Sequence, residues 1–181
     1  MQIMEIAMQN KEQATGQLHI RWLIQRDMSQ VMKIERSSFG DHAWTEDEFL
    51  ACLRTRNCIG MVAEHEQQIV GFMIYSLLPK ELELLNIAVD PEFRRQGFGS
   101  QMVGKLISKH SQQRRRLLSM LVRESNLDCQ LFLRSLDFEA VAVLRDHYDE
   151  IDEDAYEMRY TVESVRKFQP RNRISGIVLD Q

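Results

Sequence analysis

The most restrictive pattern in the chain runs from residue 81 to residue 110. An apolar run, ELELLNIAV (81–89), leaves through Asp90-Pro91, passes Arg94-Arg95, and enters an amphipathic helical stretch across glycines at 97 and 99. A strand feeding a glycine-bearing loop at a helix N-terminus presents backbone N–H groups that have no intrahelical acceptor, at the positive end of the helix dipole. Such a junction suits a phosphate. Gly97 and Gly99 let the backbone approach a ligand closely, and Arg94 and Arg95 add positive charge. Two other phosphate motifs fail on the residues present. A dinucleotide fingerprint needs glycine where Met102 stands, and the Walker-like spacing of Gly99 to Gly104-Lys105 ends in Leu106, which has no hydroxyl for Mg²⁺. Nucleotide hydrolysis is therefore disfavoured.

The flanking segments read as one mixed domain. LHIRWLI (18–24) alternates as a strand, and DMSQVMKIERSSF (27–39) has helical periodicity behind a capping Asp27. Thr45-x-x-Glu48 is a capping box opening a helix to about Leu53. CIGMVAEH (58–65) and IVGFMIYSLL (69–78) form a hairpin across a polar turn, with 81–89 as a third strand of the same sheet. A helix from about Gly97 to His110 turns Phe98, Met102, Val103, Leu106 and Ile107 to one face. RRLLSMLV (115–122) is the next strand, Ser125 or Asn126 caps a helix to about Leu136, and FEAVAVLRDHY (138–148) and DAYEMRYTV (154–162) close the order as strands. This alternation predicts a single α/β (α+β) domain over residues 18–163, with a flexible leader at 1–17 and a peripheral tail at 164–181. Trp22, Trp44 and most methionines are expected in its core.

Composition narrows the function classes. No apolar run approaches a membrane span, and the first residues lack the basic and apolar regions of a signal peptide, so the expectation is a cytoplasmic protein without a membrane partner. Cys52, Cys58 and Cys129 have no metal-ligand spacing and lie in apolar stretches, which predicts buried thiols rather than disulfides or metal ligands. A net charge of -4 speaks against nucleic-acid binding. The charge is unevenly placed, however. Residues 90–116 hold seven basic and two acidic residues, whereas residues 146–157 hold seven acidic ones and no lysine or arginine. The first stretch favours an anionic ligand and the second a basic peptide or an amine.

Arg94-Arg95-Gln96-Gly97-Phe98-Gly99, preceded by NIAVDPEF, resembles the acetyl-CoA pyrophosphate loop of the GNAT acetyltransferases. IERSSFGDHAW (34–44), VRESN (122–126), RSLDF (134–138) and HYDEIDEDAYEM (147–158) resemble, in the right order, segments of RimI-type alanine N-terminal acetyltransferases and of the catalytic subunit of eukaryotic N-terminal acetyltransferase A. The resemblance implies a mostly antiparallel central sheet of about seven strands, with strands 4 and 5 splayed apart and helices on its flanks. It also implies acetyl-CoA as cosubstrate, with no metal. Ile87, Ala88 and Val89 would supply the backbone edge for the pantetheine arm; Arg94, Arg95, Gln96, Gly97, Phe98, Gly99 and Ser100 would cradle the pyrophosphate; and Asn126 would contact the cofactor. The implied acceptor is a protein N-terminus or peptide, ribosomal proteins included, and the implied state is a monomer or weak dimer.

Two positions depart from that pattern. RimI-type enzymes carry a glutamate just before VR and a tyrosine seven residues after the asparagine, and here these are Leu121 and Leu133. Neither moves a proton. Glu83, on the fourth strand, and Glu35, on the first helix, are the candidate catalytic carboxylates by resemblance, and Tyr148 and His147 fall where paired tyrosines contact the acceptor. Asp137 stands where the family has a glycine, a mild change because Asp tolerates a left-handed helix end. A CoA-binding regulatory module and a small-molecule amine acetyltransferase are the alternative readings.

Overall fold

The computed structural model describes residues 18–112, 117–148 and 153–161. The leader at 1–17, the tail at 164–181, Arg114, Arg115, Arg116 and the acidic residues Asp149, Glu150 and Asp152 lie outside the described residues. In chain order the elements are β1 (His19–Trp22), α1 (Met28–Phe39), α2 (Glu46–Arg54), β2 (Cys58–His65), β3 (Gln68–Leu77), β4 (Glu81–Val89), α3 (Phe98–Gln112), β5 (Leu117–Arg123), α4 (Leu127–Arg134), β6 (Glu139–Tyr148) and β7 (Glu153–Thr161). The strands form one seven-stranded sheet in the order β1-β2-β3-β4-β5-β7-β6. Every pairing is antiparallel except β4 with β5.

β3 is buried on both faces and divides the core. Met73 and Tyr75 pack with Phe98, Met102 and Leu106 of α3, while Phe72 and Ile74 pack with Val31 and Ile34 of α1 and Phe49 of α2. A central antiparallel strand covered by helices on both sides reads as a near-continuous apolar run, as IVGFMIY does. The face of α3 follows the helical period, with Phe98, Met102, Val103 and Leu106 at 1% exposure or less.

Two features of the sheet position the site. The first is a bulge in β4. Ile74 pairs with Asn86 and Tyr75 with Leu84, which leaves Leu85 as the extra residue. Leu82 and Leu84 pack into the α3-side core, whereas Asn86, two residues on, meets Glu35 of α1 on the other side. Strict alternation would have kept Asn86 beside the leucines. The second feature is the short β4–β5 ladder, which consists of the pairs Glu81–Leu117, Leu82–Leu118 and Glu83–Ser119. Beyond that rung the two strands separate, while β3 continues to pair with β4 as far as Val89 and β7 with β5 as far as Arg123.

Local expectations are corrected in two places. Asp27 does not cap α1 through its side chain; it is buried, accepts the Ile24 N–H at 3.0 Å, and pairs with Arg21 at 2.6 Å and 2.9 Å. Trp22 is not a core residue, being 59% exposed on the edge strand β1. The other caps form as read. Thr45 Oγ1 accepts the Glu48 N–H at 3.3 Å with Glu48 returning to the Thr45 N–H, and Asn126 Oδ1 accepts the Cys129 N–H at 3.1 Å. Asp137 takes φ +65° just after α4, the left-handed conformation expected of it.

Candidate active site

Where β4 and β5 part, a cleft of about 370 Å³ opens between them. Leu85 and Asn86 supply its β4 wall, Met120 through Arg123 its β5 wall, Glu35, Phe39 and Trp44 its α1 and α2 side, and Asn126, Cys129 and Tyr148 its far rim.

Glu35 is fully buried at this cleft. Its Oε1 accepts the Trp44 N–H at 2.7 Å and the Asn86 amide at 3.3 Å, and its Oε2 accepts the same amide at 3.1 Å. A buried carboxylate needs such partners. Burial pushes the Glu35 carboxyl above its usual range, with the Trp44 and Asn86 bonds pulling the other way. The helix, the segment before α2 and the β4 bulge therefore converge on one carboxylate that can exchange a proton closer to neutrality than an exposed glutamate.

Tyr148 stands on the opposite rim. The Arg123 guanidinium lies 3.7 Å from its ring centroid, a cation–π stack, and is itself held by Glu153 at 3.0 Å. Glu153 also accepts the Ser125 N–H at 2.8 Å, which ties the start of α4 to β7. Burial raises the Tyr148 phenol further above its ordinary value, so its hydroxyl is a donor at neutral pH. His147 is exposed, stacks edge-on against Tyr148 at 4.9 Å, and is not part of the cleft lining. Glu83 sits on the last paired rung opposite Ser119, at the vertex of the splay, and is likewise not among the lining residues. Burial raises its carboxyl, with Glu81 and Glu157 adding to the shift. Leu121 lines the cleft, whereas Leu133 is fully buried in the α3-side core.

Beside the cleft, the loop into α3 has the geometry of an anion cradle. Arg95 and Gly97 take φ +64° and +79°. The helical ladder begins with the Gln101 N–H on the Gly97 carbonyl, so Phe98, Gly99 and Ser100 have no intrahelical acceptor for theirs. The two glycines serve different ends. Gly97 supplies the left-handed turn, and Gly99 supplies space, since a Cβ there would lie 3.1 Å from the Phe132 ring. The arginines also differ. Arg94 donates to the Val89 carbonyl at 3.0 Å and to Ser38 at 2.9 Å, strapping the loop to β4 and α1, while Arg95 is exposed. Phe98 is buried by its side chain, which leaves only its backbone for a ligand.

The edge of β4 is also divided. The Asp90 N–H bonds the Val70 carbonyl, and alternate residues of an antiparallel pair turn to the same neighbour, so Ala88 faces β3. Ile87 and Val89 turn their backbone groups to the gap, where Arg94 already holds the Val89 carbonyl. These features fit a diphosphate at the loop and an extended amide-bearing arm along Ile87 and Val89, with the Asn126 side chain using its oxygen, not its N–H₂, for the helix cap.

Sequence reasoning did not single out Asn86 or Arg123, and it read Cys129 as a buried thiol, whereas Cys129 is half-buried on the cleft rim. The signal for Asn86 was present as one amide within the apolar run LELLNIAV, because a polar group on a buried strand requires a partner. The acidic segment is less free than its composition implies: Glu153 is spent on Arg123 and Asp154 on Arg145. Among the described residues, no group of three or more His, Cys, Asp or Glu is placed to hold a metal, and no helix is long and apolar enough to cross a membrane.

Comparison with known proteins agrees with this geometry. Residues 21–138 match the family described as "Acetyltransferase (GNAT) family". A relative from Bacillus subtilis named a putative ribosomal protein bS18-alanine N-acetyltransferase is 27% identical over 137 residues, covering 75% of this chain and 90% of its own. The Escherichia coli (strain K12) bS18-alanine N-acetyltransferase is 30% identical over 109 residues, or 60% of this chain and 73% of that one. The crystal structure of the Escherichia coli ribosomal-protein-S18-alanine N-acetyltransferase superposes with a TM-score of 0.71 at 26% identity, over 81% of this chain and 94% of that one. Ard1 from Thermoplasma volcanium superposes at 0.72 and 27% identity, over 80% and 97%. With the splayed strands, the glycine loop and a family match over most of the domain in hand, the chain belongs to the GNAT family and is an N-acetyltransferase that uses acetyl-CoA.

Proposed function

We propose that this enzyme acetylates the α-amino group of protein N-termini, ribosomal proteins that begin with alanine among them, and that Glu35 and Tyr148 handle the acceptor. The observation that carries the reading is the cleft between the unpaired lengths of β4 and β5, which has a buried carboxylate on one wall and a phenol on the other. The Escherichia coli relative is named for alanine N-acetylation of ribosomal protein bS18, which supports this reading.

Acetyl-CoA supplies an activated acetyl group on sulfur, which an amine attacks directly. In this reading the N–H groups of residues 95–100 hold the diphosphate, Ile87 and Val89 hold the pantetheine arm, and Asn126 steadies it. Ala88 contributes through its place in the strand, and Arg94 and Gln96 through the shape of the loop. Fixing donor and acceptor side by side can supply about 7–11 kcal/mol of the barrier. An α-amino group has an ordinary pKa of about 7.7–8.0, so a useful neutral fraction exists at pH 7, unlike lysine at about 10.4. That difference matters here, because Leu121 leaves the β5 wall with no proton acceptor. Glu35 takes the proton through Oε2, which carries a single bond from Asn86. Tyr148 hydrogen-bonds the acceptor N-terminus. Glu83, at the vertex, and His147, outside the lining, act at most through water.

The test is release of CoA thiol from acetyl-CoA with an alanine-led peptide, an N-blocked lysine peptide and a polyamine as acceptors. Turnover is expected with the first alone. Glu35→Gln should lower kcat about 10²–10⁴-fold with acetyl-CoA binding retained. Turnover on lysine or polyamine instead, or CoA binding without turnover on any acceptor, would overturn the proposal.

A further inference from the structure

Cys52 and Cys58 face each other across the turn joining α2 to β2, with their sulfurs 2.6 Å apart. Cys52 lies in the last turns of α2 and Cys58 opens β2. The connection between them is pinned. The Thr55 N–H and hydroxyl both donate to the Cys52 carbonyl, at 3.0 Å and 2.7 Å; the Cys58 N–H donates to the Thr55 carbonyl at 3.2 Å; and the Leu77 N–H of β3 donates to the Asn57 carbonyl at 2.8 Å. A disulfide forms without backbone rearrangement only where the fold already brings two cysteines together. Both side chains are half-buried and so remain open to a small reagent. Sequence spacing predicts buried, unlinked thiols, because a separation of six residues does not reveal that a helix end and a strand start meet there.

We propose that Cys52 and Cys58 form a reversible disulfide by exchange with a small-molecule disulfide, and that the bond rivets α2 to β2. The Cys52 thiolate attacks one sulfur of the external disulfide, whose S–S bond breaks as one thiolate leaves. Cys58 then loses its proton and attacks the Cys52 sulfur, breaking the mixed disulfide and releasing the second thiolate. Two protein thiols are oxidised, one external disulfide is reduced to two thiols, and the protons pass to the departing sulfurs. Cys58 acts second because burial, with the bond to Cys52 next, pushes its thiol up to about 12. The bond fastens the far end of the helix that starts beside Trp44, the residue whose N–H holds Glu35.

The experiment treats the full chain with oxidised glutathione and reads intact mass, native thiol titration and a non-reducing peptide map. The expected result is loss of two of the three thiols with a mapped Cys52–Cys58 link, and Tm raised by about 5 °C and restored by dithiothreitol. Cys58→Ser should instead trap one glutathione on Cys52, and Cys129→Ser should close the link as the parent does. Survival of all three thiols, a link to Cys129, or closure with unchanged Tm would overturn the proposal.

Discussion

Gly97 and Gly99 are two residues apart and do different physical work, which makes them separable by substitution. At Gly97 the backbone holds φ +79°, so Gly97→Ala forces a Cβ into a left-handed conformation costing about 1–2 kcal/mol. Relaxation of the loop away from that turn should weaken acetyl-CoA binding roughly tenfold by calorimetry. Gly99→Ala meets Phe132 and Val89 instead, and should cost about 1–3 kcal/mol of stability by overpacking, read in urea denaturation. Glu35 gives a pH signature. Its pKa is raised in the folded state, so the folded chain binds this proton more tightly than the unfolded chain does. The resulting stabilisation is complete below the unfolded value of about 4.3 and is lost as pH rises through the raised value. Denaturation of the parent and of Glu35→Gln across acid to neutral pH should show the parent losing stability relative to the variant as pH rises. Acetyl transfer should run the opposite way, rising as Glu35 loses its proton. The motif around Gly97 was legible because a glycine loop before an amphipathic helix is a local pattern. The Glu35–Asn86 pair was only half legible, since 51 residues separate partners that the tertiary structure unites.

The seven strands and the helix order could be read because apolar periodicity is a local property of each segment. What alternation does not reveal is register. The bulge at Leu85 turns Asn86 toward α1, and although the alternation of ELELLNIAV breaks at Leu84-Leu85, that break alone does not say how the pairing resumes. Nor does sequence periodicity say where a parallel ladder stops. The β4–β5 gap was supplied by family resemblance, and its physical basis is that each strand keeps its antiparallel partner while the shared rungs end at Glu83 and Ser119. Exposure was misjudged at Trp22 for a related reason: alternation marks one face as apolar without saying whether anything covers it. At the start of α4, Asn126 spends its oxygen as a helix cap. Asn126→Ala should cost about 1 kcal/mol, lower Tm by roughly 2–4 °C, and raise KM for acetyl-CoA, with thermal denaturation and steady-state kinetics as the measurements.

Across the whole molecule, a net charge of -4 conceals a division of labour. By sequence, residues 90–116 carry an excess of positive charge, of which Arg94 and Arg95 sit in the loop into α3, and much of the described acidic segment is tied to Arg123 and Arg145. Binding of an anionic cosubstrate to such a surface should weaken as salt rises from low ionic strength past the point where the Debye length is about 10 Å. Titrations of acetyl-CoA at graded salt should show that decline. The measurement closest to the centre is amide hydrogen exchange by NMR with and without acetyl-CoA. If the donor lies in the splay along β4, the amides of Ile87, Val89 and residues 95–100 should gain protection, while Ala88, already turned toward β3, should change little. Unchanged exchange at Ile87 and Val89 under saturating acetyl-CoA would contradict that placement of the active site.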